Sequence, residues 1–179
     1  MGSPQVPIDV DPGTGIWRTD GLPMIYLPRH FLVNNHVAVE EALGRDTYRT
    51  ILRAATEKSA IHWCQAESKT HALDHEATFR HYFKRLSQRG WGQFSVDRLE
   101  ASGKPGGSIS LHNSVFALEL RGRCQAPLCY MFEGFVTGAF GFLVRGAEPA
   151  EGAISVSCVE SFCAGDGVHR HCAFEFGYP

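Results

Sequence analysis

The stretch Ser157–Phe176, SCVESFCAGDGVHRHCAFEF, closes the chain and carries its densest chemistry. Residues 154–159 alternate apolar and polar side chains in the manner of a half-buried strand, and Ala173-Phe-Glu-Phe does the same. Gly165 and Gly167 lie between them, where a flexible backbone can fold back tightly. The stretch reads as a final antiparallel hairpin. It gathers three thiols (Cys158, Cys163, Cys172), two carboxylates that could face them (Glu160, Asp166) and two imidazoles (His169, His171). Structural zinc takes four ligands from Cys, His and carboxylate, often two of them close in sequence. Glu160-Ser-Phe-Cys163 offers such a pair at a strand end, and Cys172 returns at the start of the next strand. Cys158 shares a face with Glu160 on an extended strand. A fourth ligand must come from elsewhere. Free cysteines also serve as small buried hydrophobes, so spacing alone supports core packing as well as it supports a metal.

Working backwards, residues 127–145 form an apolar helix interrupted by Gly134, Gly138 and Gly141. Each glycine costs a helix about 1 kcal/mol relative to Ala, so three imply close backbone packing or room for a ligand. Upstream, 91–99 alternates as a strand, SGKPGG at 102–107 signals a turn, and 108–120 forms the return strand with a break at Asn113-Ser114. Before the hairpin come helices. One starts at Asp74, places Phe79, Tyr82, Phe83 and Leu86 on one face, and stops at Gly90. Another is capped by Asp46 and recurs through Tyr48, Ile51, Leu52, Ala55, Ser59, His62 and Trp63. A shorter one spans 36–43, capped by Asn34 or Asn35 and closed by Gly44. Residues 24–27 suggest a short strand, and 1–24 an irregular, Pro- and Gly-rich arm that packs through Ile8, Val10, Ile16 and Trp17. Segregated helices and antiparallel strands predict an α+β fold, helices on one side of the sheet, with 25–179 as a single domain.

The composition excludes several classes. A formal charge of −2 over 179 residues, with no Lys/Arg-rich run, leaves no electrostatic footprint for nucleic acid or an anionic membrane. There is no apolar run of about 18 residues to span a bilayer, and the N-terminus lacks the layout of a signal peptide. A reducing cytoplasm is the resulting default, in which six cysteines are thiols or metal ligands rather than disulfides. Enzymatic signatures are missing: GGSISL at 106–111 lacks dinucleotide spacing and lies in a hairpin, and neither HExxH nor GxSxG occurs.

The C-terminal segment resembles the signature of the 4-vinyl reductase domain family. That family includes the aromatic-sensing domains of phenol- and toluene-responsive activators and a bacteriochlorophyll-biosynthesis protein, and it is related in fold to small subunits of vesicle-tethering complexes. Its sensor motif is a Glu, two residues, a Cys, a Gly-containing turn and a final Cys, with an earlier Cys opening a Gly-rich helix. Here these match Glu160, Cys163, Cys172 and Cys129. The resemblance implies the α+β fold of the 4-vinyl reductase domains in a stand-alone bacterial member, with Zn2+ held by Cys129, Glu160, Cys163 and Cys172. The turn before Cys172 is one residue longer than in the sensors, which leaves His171 as an alternative ligand, and Cys124 competes with Cys129.

The sensors hold a small aromatic molecule near the zinc, against a His and a Trp. The resemblance therefore implies a pocket, with His81, Trp91, His112, Phe116, Tyr130 and Phe135 as candidate lining residues. Aromatic residues at helical spacing are equally what a core uses. The function implied is a zinc-stabilised domain that binds a hydrophobic or aromatic small molecule as sensor or carrier. The alternative is an accessory subunit or enzyme of small-molecule catabolism or reduction, ranked lower because four protein ligands leave zinc no open position. The tethering subunits pair, so a homodimer is also expected.

Overall fold

A computed structural model describes residues 5–101, 103–122, 126–145 and 156–178. Three short strands, β1 (Asp9–Val10), β2 (Trp17–Thr19) and β3 (Leu22–Met24), make a small antiparallel sheet where the sequence suggests an irregular arm. Gly15 and Gly21 take the left-handed conformation at its two turns (φ 71° and 77°), which few other residues adopt without strain.

Helix α1 (Arg29–Leu43) starts well before residue 36, leaving Asn34 and Asn35 inside it. Pro28 sets the start: its carbonyl accepts N–H bonds from Phe31 and Leu32, and its fixed φ suits a helix entrance. Gly44, with φ of 77°, separates α1 from α2 (Arg45–Thr70). Helix α3 (His75–Gln88) is capped as the sequence suggests, the Asp74 carboxylate accepting the Ala77 N–H at 2.7 Å.

The main sheet combines β4 (Gln93–Glu100), β5 (Gly106–His112), β6 (Ser157–Phe162) and β7 (Cys172–Gly177), in antiparallel order β4-β5-β7-β6. The return strand ends at His112 rather than running to 120. Asn113 turns left-handed (φ 54°), and the Val115 N–H donates to the Trp91 carbonyl at 3.0 Å. Val115–Glu119 then coils into the short helix α4, burying Val115, Phe116 and Ala117. Helix α5 (Tyr130–Arg145) is buried almost throughout and lies between α2 and the sheet's inner face.

Close packing explains two of the three α5 glycines, whereas a Cβ on Gly141 would meet nothing within 4 Å. A Cβ on Gly134 would sit 2.4 Å from the Arg53 carbonyl oxygen, and one on Gly138 2.4 Å from that of Glu57. The two helix backbones thus approach to a distance only glycine permits. On the opposite side, Phe132 and Phe140 of α5, Phe79 and Phe83 of α3 and Phe174 of β7 form the fully buried centre of the core. The fold is α+β, with helices and an antiparallel sheet sharing one core.

Candidate metal centre and apolar cleft

Strand alternation turns Cys158 and Glu160 of β6 inward, and an irregularity in register between Glu160 and Phe162 re-aims the strand end. Cys163 follows, then a single 3-10 turn (Ala164–Asp166) and Gly167 in the left-handed conformation. Asp166 locks this turn by accepting the N–H groups of Val168 and His169 at 2.8 and 2.9 Å. Cys172, at the start of β7, is thereby returned beside Cys163, and Cys129 enters from the segment that opens α5.

The ligand atoms of Cys129, Glu160, Cys163 and Cys172 all lie within 4.8 Å of one another, and all four residues are buried. The sulfur–sulfur separations are 3.8 Å (Cys129–Cys163), 3.5 Å (Cys129–Cys172) and 3.4 Å (Cys163–Cys172). Tetrahedral zinc with bonds of about 2.3 Å to sulfur would set its thiolates about 3.8 Å apart, so the thiols sit close to ligand spacing. Glu160 Oε2 accepts the Cys129 N–H at 2.7 Å, while Oε1 is buried with no hydrogen-bond partner. A buried carboxylate oxygen left bare is costly unless something positive meets it.

Backbone N–H groups point at two of the three sulfurs. The Ala164 N–H donates to Cys172 Sγ and the Gly165 N–H to Cys163 Sγ, each at 3.4 Å. Hydrogen bonds from Cys129 and Cys172 hold the Cys163 thiol far below its ordinary range. Burial, reinforced by the charge on Cys163, pushes the Glu160 carboxyl well up, and burial raises Cys129 likewise. A cation would draw all four to their charged forms at once. The donor set fits zinc, and its full complement fits a structural role.

Behind the cluster stands Glu133, a fully buried carboxylate on α5. Arg49 grips it with two hydrogen bonds, Arg53 lies 3.5 Å away, and the Glu160 N–H donates to it at 3.0 Å. Ser114 Oγ is 3.0 Å from Cys129 Sγ. Sequence reasoning misses these supports, although an acid within an apolar helix is itself a signal of a buried partner. His171 lies outside the cluster, its ring against His112 and Phe162. Cys124 falls outside the described residues.

The six candidate pocket residues divide. Trp91 and Phe135 pack on each other and on Phe132, and Phe116 joins through Phe132. Tyr130 is held by its hydroxyl to Glu40 and connects to Phe116 through the buried His36. His81 is bonded to Glu67 and stacked on Trp63, and the exposed His112 stacks on His171. The space between α5 and the sheet is filled with phenylalanine. Room exists on the other side of Trp91, in an apolar cleft of about 290 Å³ between the N-terminal sheet and the helices. Trp17, Met24, Tyr26, Leu32, Trp91 and Val115 line it, with Arg29 and Arg89 as its charged groups.

This α+β arrangement is shared with solved structures of low sequence identity. The chain superposes on the crystal structure of the phenol-responsive sensory domain of the transcription activator PoxR with phenol, with a TM-score of 0.78, 17% identity and coverage of 96% of this chain and 84% of that one. It also superposes on a trafficking protein particle complex subunit 3 from Naegleria fowleri covalently bound to palmitic acid, with a TM-score of 0.55, 12% identity and coverage of 84% and 95%. At these identities the likeness is one of fold. The chain belongs to the family described as Domain of unknown function (DUF5943), whose sequence profile matches residues 2–97. No curated protein matches it in sequence. Among the described residues, no helix is long and apolar enough to cross a membrane.

Proposed function

We propose that the chain is a domain of the 4-vinyl reductase type that binds a small hydrophobic or aromatic molecule, as a sensor or carrier, on a scaffold stapled by zinc. Cys129, Glu160, Cys163 and Cys172 are the proposed ligands, and residues 25–179 the domain they stabilise, with the N-terminal sheet as a wall of its cleft. The observation that carries this reading is the juxtaposition of a closed four-donor cluster with an aromatic-walled cleft at Trp91. A volume of about 290 Å³ lies at the small end of ligand pockets, which suits one ring or a short chain. The fold likeness to a domain that responds to phenol points the same way.

Of the six pocket candidates, Trp91 alone lines this cleft, with Phe135 packed against its ring, while Phe116, Tyr130, His81 and His112 lie away from it. Ile25, Tyr26 and Phe31 stand exposed at or near the cleft, and we assign them to pairing of two copies. The test is titration of the zinc-loaded chain with phenol and p-cresol, followed by tryptophan fluorescence, since Trp17 and Trp91 both line the cleft. Saturable quenching that is abolished in Trp91→Ala supports the reading. A linear response to both ligands, with the zinc present, would overturn it.

A further inference from the structure

A second set of donors meets where the N-terminal sheet touches the helices. Glu67 lies in the last turn of α2, His71 at its C-cap, His81 on α3 and Asp20 in the β2–β3 turn. One ligand atom from each lies within 4.8 Å of the others. Glu67 is fully buried, at 0% exposure. The Nε2 atoms of His81 and His71 both approach its Oε2, at 3.0 and 3.3 Å, while its Oε1 is buried with no hydrogen-bond partner. His71 Nε2 also lies 3.8 Å from Asp20 Oδ1.

We propose that Asp20, Glu67, His71 and His81 form a second divalent-cation site, for zinc or a neighbouring first-row ion. Bonds of about 2.0–2.1 Å to nitrogen and oxygen place tetrahedral ligand atoms about 3.3–3.4 Å apart, a spacing that the three observed distances bracket. Imidazole and carboxylate without sulfur suit zinc, iron and nickel rather than the hard ions calcium and magnesium. The unpartnered Glu67 oxygen and the convergence of two imidazoles on its mate are both accounted for by an ion among them.

This site differs in kind from the thiol cluster. Arg85 lies 2.9 Å from Asp20 Oδ1 and Arg89 3.8 Å from Oδ2. When no ion is bound the two arginines pair with Asp20 and the two imidazoles meet Glu67, so the site assembles without metal. Their charge also weakens binding of a cation, and the exposed His71 gives it a way in and out. The site is therefore exchangeable. Asp20 directly follows Thr19, and Trp17, Thr19 and Arg89 line the cleft. A bound ion ties that wall to α2 and α3.

The test is titration of the full chain, freed of metal by chelator, with cobalt(II) followed by absorption spectroscopy. Wild-type protein takes up two equivalents: one with an intense sulfur-to-metal charge-transfer band, one with only weak ligand-field bands. His71→Ala, at a half-exposed helix end, loses the second equivalent and keeps the sulfur band; Glu67→Gln, nearly isosteric, does the same. The proposal is overturned if wild-type protein binds one equivalent only, or if both variants retain two. Failure of the thiol cluster instead shows as loss of the sulfur band, so the two sites are judged separately.

Discussion

Among the described residues there are two four-donor clusters, and they are opposites. Cys129, Glu160, Cys163 and Cys172 are all buried, drawn from the C-terminal half, and supported by N–H groups aimed at sulfur. Asp20, Glu67, His71 and His81 come from the half that the family profile matches; two of them are only partly buried, His71 is exposed, and two arginines accompany them. Among the described residues no ion pair reaches Glu160, and Arg49 and Arg53 pair with Glu133 behind it. In the second, Arg85 and Arg89 already pair with Asp20. A cluster that needs its ion to fold is a staple, whereas one that is balanced without it is free to respond.

The comparison breaks most readily at the thiol cluster. Cys163→Ala is expected to lose its zinc and its cooperative thermal transition, because structural zinc contributes about 10–16 kcal/mol in small domains, as much as a typical domain's whole stability. Metal analysis together with circular dichroism would show it, and a metal-free variant that melts like wild type would refute the staple. Next comes the support beneath it. Glu133→Ala strands Arg49 and removes the acceptor for the Glu160 N–H. Breaking a buried pair costs about 3–5 kcal/mol, and the partial exposure of Arg49 argues for about 3 kcal/mol in urea unfolding.

Three further effects sharpen the contrast. Burial lowers the pKa of His36 from 6.5 to about 4. The unfolded chain therefore takes up the proton first, and stability falls as pH drops from 6.5 towards 4 and is constant above that window as far as His36 is concerned. The loss should reach about 3 kcal/mol at pH 4 and be reduced in His36→Phe, measured by urea unfolding across that range. Gly138→Ala drives a Cβ to 2.4 Å from the Glu57 carbonyl, and overpacking of this kind costs about 1–3 kcal/mol. At the smallest end, His71→Ala should leave the stability of the chain loaded with one equivalent of zinc at the thiol cluster within about 0.5 kcal/mol of wild type, as surface changes do. A larger loss would mean that the second cluster is structural too.

Much of the fold is legible in the sequence because its signals are local. The Asp74 cap, the apolar face of α3, the alternation of β4 and the final hairpin are each set by residues a few positions apart. Sequence reading starts α1 too late because Asn34 and Asn35 resemble caps, whereas Pro28 governs the helix entrance from further upstream. The stretch after Asn113 reads as strand because its side chains are apolar, a property that buried helices share; one left-handed residue and a bond to Trp91 decide for helix. The four thiol-cluster residues are legible through a motif, and the structure gathers those four with Cys172 rather than His171. The polar network around Glu67 is not, since only the Glu67–His71 spacing is local and Asp20 and His81 arrive through tertiary packing.

By itself, the sequence determined the α+β class, the hairpin that carries Glu160, Cys163 and Cys172, and the small-residue face of α5, because these rest on period, turn chemistry and composition. The tertiary structure decided what the spacing left open. Gly134 and Gly138 admit the α2 backbone and not a ligand, since a Cβ there would collide with carbonyl oxygens. The cleft lies against the N-terminal sheet because phenylalanine fills the space between α5 and the main sheet. Nor could spacing bring Asp20 to Glu67: contacts between distant segments depend on how the faces of α2, α3 and the sheet pack, which no local pattern encodes.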